Sequence, residues 1–136
     1  MTLPVADKLD ILELLARADS AASERDANGY VSCFTEDVVL DGDMGEHRSK
    51  EALRQSVGPI WQKEGAASVH LTLNAMIEPM IDESDRAVAR SMLVILSVGP
   101  AISVYNVSSI VQYLIKTNGV WLIERRSVHS IPQVSR

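Results

Sequence analysis

The hydrophobic pattern of the chain changes period once. Before about residue 62, apolar positions recur every three or four residues, and from Val69 onward they alternate. The first regime predicts a helix from Val5 to Arg25, with Leu9, Leu12, Leu15, Ala16 and Ala22 on one side. Asn28-Gly29 breaks the pattern, and a short helix from Tyr30 to Phe34 and a brief strand at Val38-Val39-Leu40 follow. Ser49 reads as the N-cap of a further helix carrying Ala52, Leu53, Val57, Ile60 and Trp61, with a kink expected at Gly58-Pro59. The second regime predicts four long strands: Val69–Ile81, Ala87–Val98, Ile102–Thr117 and Val120–His129. Asp82-Glu83-Ser84-Asp85, Gly99-Pro100 and Asn118-Gly119 separate them. Asn-Gly is the dipeptide that a type I′ hairpin turn demands. Helices followed by an antiparallel meander make an α+β fold, because the sheet needs a cover and only the helices can supply it.

Composition narrows this picture. The 136 residues fit one domain spanning 1–136, and no Pro/Gly/Ser-rich linker divides them. At 46% hydrophobic and 23% charged the chain is neither disordered nor collagen-like. Its net charge of −5 argues against a nucleic-acid partner. The N-terminus lacks the basic and apolar segments of a signal peptide, and no apolar run approaches the ~20 residues of a membrane helix. The expected setting is cytoplasmic, with no membrane partner. One cysteine, Cys33, excludes an internal disulfide, and three histidines make a dedicated metal site improbable. The acidic stretch from Glu36 to Glu46 fails the calcium-loop pattern, since Glu46 stands where a loop starting at Asp41 needs Gly.

Two residues invite chemistry. On a helical wheel Asp19 lies within about 60° of Leu12, Leu15 and Ala16, inside the expected apolar stripe. A carboxylate there is paired or shifted in pKa, or else the stripe ends earlier and Asp19 points to water. His70 opens the first long strand and shares a mixed polar face with Thr72, Asn74 and Met76. Beside a carboxylate, that histidine becomes a general base. Arg125 and Arg126 on the last strand either bind an anionic group or balance acids. Arg90, mid-strand among apolar residues, is placed to pair with an acid inside a cavity.

The order of elements carries a resemblance. The helix with Asp19, the segment Phe34-Thr35-Glu36-Asp37-Val38-Val39-Leu40, the pattern His70-x-x-x-Asn74 and the hairpin Tyr113–Ile123 recur in this order in a known superfamily. From about Asp7 to His129 the chain resembles the SnoaL-like branch of the nuclear-transport-factor-2-like, cystatin-like superfamily. The resemblance implies a cone: N-terminal helices packed in a strongly curved, mainly antiparallel sheet around an apolar pocket. It is similar to scytalone dehydratase and hexachlorocyclohexane dehydrochlorinase, which use an Asp–His dyad. Asp19 and His70 fall on those two positions, and Trp61 with His70-x-x-x-Asn74 also matches the dehydrochlorinase. The tyrosines that polarise a carbonyl in the dehydratases have no evident counterpart. The implied activity is a cofactor-independent lyase or isomerase acting on a small hydrophobic molecule, cyclic or polyketide- or steroid-like. His70 removes a proton, Asp19 orients it, and Phe34, Trp61, Asn74 and Arg90 surround the substrate. The alternative is a non-catalytic ligand-binding or dimerisation module of the same fold. Either reading implies a homodimer formed through the outer face of the sheet.

Overall fold

A computed structural model describes residues 2–132. Nine elements follow in order: α1 (Val5–Ser23), α2 (Ala27–Val31), β1 (Phe34–Gly42), β2 (His47–Arg48), α3 (Lys50–Gln62), β3 (Ser68–Met80), β4 (Glu83–Val98), β5 (Ile102–Thr117) and β6 (Val120–Ser130). The strands form one open sheet in the order β2-β1-β6-β5-β4-β3. The meander β3–β6 is antiparallel throughout, and β1 joins β6 in parallel. This is the α+β cone architecture expected, with the N-terminal helices covering one face of a mainly antiparallel sheet. Among the described residues no helix is long and apolar enough to cross a membrane.

Local chemistry accounts for the element ends. Asn118 and Gly119 take positive φ of 52° and 80°, as the β5–β6 hairpin turn requires. The Ser49 hydroxyl accepts from the Ala52 amide and caps α3, which then runs unbroken through Pro59. Asp26 caps α2 by accepting from the Gly29 amide, so this helix starts and ends earlier than the sequence pattern suggests. Phe34 consequently opens β1 instead of closing a helix. β4 begins at Glu83, because Arg86 holds Glu83 and Glu124 at 3.1 Å each and keeps that polar segment paired to the sheet.

The buried face of α1 differs from the expected stripe. Ile11, Leu14, Leu15, Ala18, Ala21 and Ala22 are buried, whereas Leu9 and Leu12 are 56% and 42% exposed. The helix carries apolar residues on two sides, and its neighbours decide which side packs. Asp19 therefore sits on the border of the buried face and is half-buried.

Candidate active site

A cavity of about 150 Å³ opens between the end of α3, the β1–β2 loop and the inner face of β3–β6. Val57, Ile60, Leu93, Ile95 and Val128 give it apolar walls, and His70, Glu64, Tyr30 and Arg126 supply its polar groups.

His70 reaches the cavity from the third residue of β3. Its Nε2 lies 2.7 Å from Glu64 Oε1, with both side chains almost fully buried. Glu64 stands in the turn after α3, where Gly65, at φ 108°, lets the chain reverse into β3. The carboxylate is held from several sides. The Ser68 hydroxyl donates to it at 2.6 Å, and Arg25 reaches it at 3.4 Å while donating to Ser68 at 2.8 Å and to the Gly65 carbonyl at 3.2 Å. Arg25 itself follows α1 in the left-handed region at φ 61°, a conformation usually left to glycine. Burial raises the cost of the charge on Glu64. The hydrogen bonds from His70 and Ser68 and the charges of His70 and Arg25 outweigh that cost and hold the carboxyl below its ordinary value. An ionised carboxylate only accepts, so Nε2 carries a proton, and in the neutral imidazole it is Nδ1 that keeps the free lone pair.

Asp19 does different work. Its Oδ2 accepts from the Thr72 backbone amide at 2.8 Å, and one helical turn on, the Ser23 hydroxyl accepts from the His70 amide at 2.9 Å. Four helical residues rise about 6 Å and two strand residues about 6.7 Å, so positions i and i+4 of α1 match positions j+2 and j of the antiparallel β3. The helix thus pins the strand that carries His70. Burial pushes the Asp19 carboxyl above its ordinary value, against the opposing pull of Arg126 and the Thr72 hydrogen bond.

Two further groups complete the lining: Arg126, which the sequence offers with Arg125 as an anion binder or a counter-charge, and Tyr30, which the sequence does not place in the pocket. Arg126 is only 4% exposed, with its guanidinium 5.8 Å above the Tyr30 ring and donating to Gln112 Oε1 at 3.4 Å. Tyr30 is wedged between Phe34 (centroids 4.9 Å apart) and the edge of Trp61 (5.5 Å), while still contributing to the cavity lining. Burial raises the Tyr30 hydroxyl pKa despite the nearby Arg126 charge, so it remains a donor. The structure brings His70 to the cavity but gives its hydrogen bond to Glu64 instead of Asp19. Phe34 and Trp61 lie in the core behind Tyr30. Asn74 is exposed at a bulge in β3, at φ 57°, and Arg90 is exposed on β4 next to inward-facing Ala89 and Ser91. Among the described residues no group of three or more His, Cys, Asp or Glu is placed to hold a metal ion.

The profile of the SnoaL-like domain family matches residues 4–127. The chain belongs to the SnoaL-like domain family. Solved structures extend the likeness of this SnoaL-like chain. A protein of unknown function with a cystatin-like fold from Nostoc punctiforme is 27% identical, with a TM-score of 0.87 and 98% of each chain covered. A variant of Rv3472 from Mycobacterium tuberculosis, also of unknown function, is 26% identical with a TM-score of 0.84, over 95% of this chain and 74% of that one. A provisionally named scytalone dehydratase from Novosphingobium aromaticivorans shares the fold at 12% identity and a TM-score of 0.79, over 97% of this chain and 91% of that one. No curated protein sequence matches the SnoaL-like chain significantly.

Proposed function

We propose that this SnoaL-like protein is a lyase or isomerase that removes a proton from a small, largely apolar molecule, with His70 as the base. The family includes polyketide cyclases and dehydratases. The observation that carries the reading is the buried His70–Glu64 pair, 2.7 Å apart, at the wall of an open cavity. Glu64 holds Nε2–H, fixes the tautomer and stabilises the imidazolium that forms when Nδ1 takes a proton. Glu64 is a positioning residue, since it acts through His70. The Tyr30 hydroxyl, kept protonated by burial, donates to oxygen on the substrate as negative charge develops there. Departure of hydroxide or halide from the neighbouring carbon completes a lyase reaction. Return of the proton to another carbon completes an isomerisation.

The cavity limits the substrate. The interior of the open cavity, about 150 Å³, accepts a benzene-sized ring, so the reacting part that sits inside it is a single ring or a short chain. The test is deuterium incorporation from heavy water into one-ring ketones and their β-hydroxy derivatives, followed by NMR. Wild-type protein accelerates exchange or elimination, His70→Gln abolishes it with the circular-dichroism spectrum unchanged, and Glu64→Gln slows it about 10²–10⁴-fold. Exchange that persists in His70→Gln sinks the assignment.

We infer in addition that two copies pair through the outer face of the sheet. Cross-strand rows Val69–Leu96–Val104, Leu71–Val94–Val107 and Leu73–Met92 present apolar side chains there, and Val69, Leu73 and Val104 are 36%, 44% and 62% exposed. A continuous apolar surface of this kind marks an interaction site.

A further inference from the structure

The charges around the cavity do not cancel, and the remainder falls on Arg126. Each acid in the lining already has partners. Glu64 holds His70, Ser68 and Arg25. Asp41 pairs with Arg125. Asp43 accepts from the Ser130 amide at 2.6 Å and faces His129 at 3.6 Å. Arg126, among the described residues, has no carboxylate within ion-pair distance. Its contacts are one long hydrogen bond to a neutral amide and the face of a tyrosine. The Asp19 carboxylate acts on it only from beyond ion-pair distance. A second polar atom is also unclaimed: His47, in the same lining, keeps a buried Nε2, donor or acceptor according to tautomer, without a partner.

Burying a guanidinium without a counter-ion is expensive, and proteins do so where a ligand supplies the anion. The planar fork of arginine matches a carboxylate bidentately. We propose that the cavity binds a small organic carboxylate, with its anionic end on Arg126 and its apolar remainder against Leu93, Ile95 and Val128. The inference rests on the reading of this cavity as the substrate site and names the substrate class: a one-ring or short-chain acid carrying one negative charge. A single unpaired cation in a small apolar cavity favours a monoanionic carboxylate over a phosphate dianion.

Benzoate, benzamide and inorganic phosphate distinguish the cases by calorimetric titration of the full chain. Benzoate differs from benzamide only in its charge, and a charge-assisted hydrogen bond converts to roughly 10–100-fold in affinity. The expected result is that benzoate binds at least tenfold more tightly than benzamide, and that phosphate binds more weakly than benzoate. Arg126→Met brings benzoate and benzamide within about threefold of each other. Arg126→Lys keeps the charge without the fork and retains part of the preference. Should Arg126→Met fail to fold, the wild-type comparison and the lysine variant decide. Equal binding of benzoate and benzamide, no binding of benzoate, tighter binding of phosphate, or a preference that survives Arg126→Met overturns the proposal. None of these outcomes bears on the base. Exchange lost in His70→Gln together with equal benzoate and benzamide binding leaves the proton-transfer reading standing and removes only the carboxylate. Exchange unaffected by His70→Gln together with a benzoate preference does the reverse.

Discussion

Replacing Asp19 separates a catalytic partner from a backbone clamp. Asp19→Ala leaves the half-buried Thr72 amide without the carboxylate that accepts from it at 2.8 Å. Hydrogen bonds to charged groups contribute about 1.5–3 kcal/mol. Part of that returns, because the variant no longer buries a carboxylate whose ionisation burial opposes. The net expectation is a loss of about 1–2 kcal/mol, or a fall in Tm of roughly 3–8 °C for a chain of this size. Asp19→Asn keeps an oxygen acceptor and removes the charge, so at pH 7 its stability should lie within about 0.5 kcal/mol of wild type. The pH dependence has a definite sign. The folded-state pKa of Asp19 is raised, so the folded chain binds the proton more tightly than the unfolded one. Its contribution is most favourable below the unfolded value near 3.8 and is lost as pH rises through the folded value. The asparagine variant should therefore gain on wild type as pH rises through that window and then hold the gain. Calorimetric or urea unfolding from pH 4 to pH 8 measures this. Deuterium exchange measured on the same samples supplies the second arm. A clamp predicts exchange within about tenfold of wild type in Asp19→Asn, whereas an essential carboxylate–histidine partner predicts a loss of about 10⁴-fold. Asparagine as damaging as alanine in both assays would refute the clamp.

Three further outcomes test other parts of the structure. Asp7 accepts from Trp121 Nε1 at 3.1 Å and from Lys116 at 3.0 Å, and these bonds, Trp121 first, hold its carboxyl below the ordinary value. Asp7→Ala should cost about 1–3 kcal/mol in urea unfolding by orphaning the indole N–H. The advantage of wild type is present above the unfolded value near 3.8 and is lost as pH falls through the lowered folded one. At Gly42, φ is 143° and an added Cβ would lie 1.8 Å from the Val128 carbonyl oxygen, so Gly42→Ala should cost about 3 kcal/mol. Gly45→Ala, with nothing within 4 Å, should cost only the backbone strain of its φ of 89°, about 1–2 kcal/mol. Sedimentation velocity should show a dimer that Leu73→Asp converts to a folded monomer, and a monomeric wild type removes the sheet-face pairing.

Periodicity located the elements well, and breaks in periodicity account for most of what it missed. On β6, Trp121 and Ile123 face inward, and strict alternation would turn Arg125 inward with them. The β5–β6 register instead slips between Tyr113 and Leu114, so Glu124 is an extra residue and Arg126 faces the cavity. Alternation from His70 toward Asn74 fails at a second bulge, where Asn74 takes a left-handed turn and leaves the polar face. The unusual position of Asp19 was legible on the wheel, but its partner was not, since a backbone amide of an edge strand leaves no mark in sequence. Glu64 lies in an aperiodic turn, where no pattern assigns it a direction. The only signal was an acid followed by Gly65, six residues before His70.

The seat of α1 against β3 has a consequence beyond the site. Exposed strand edges invite further strands to add on. At one end of this sheet the His70 and Thr72 amides are already occupied by Ser23 and Asp19, and at the other end β2 is two residues long. These stretches of the two edges offer no template for sheet extension, which steers chains at high concentration away from edge-to-edge pairing there. A substitution at Asp19 or Ser23 should then be read in shelf life and solubility as well as in activity.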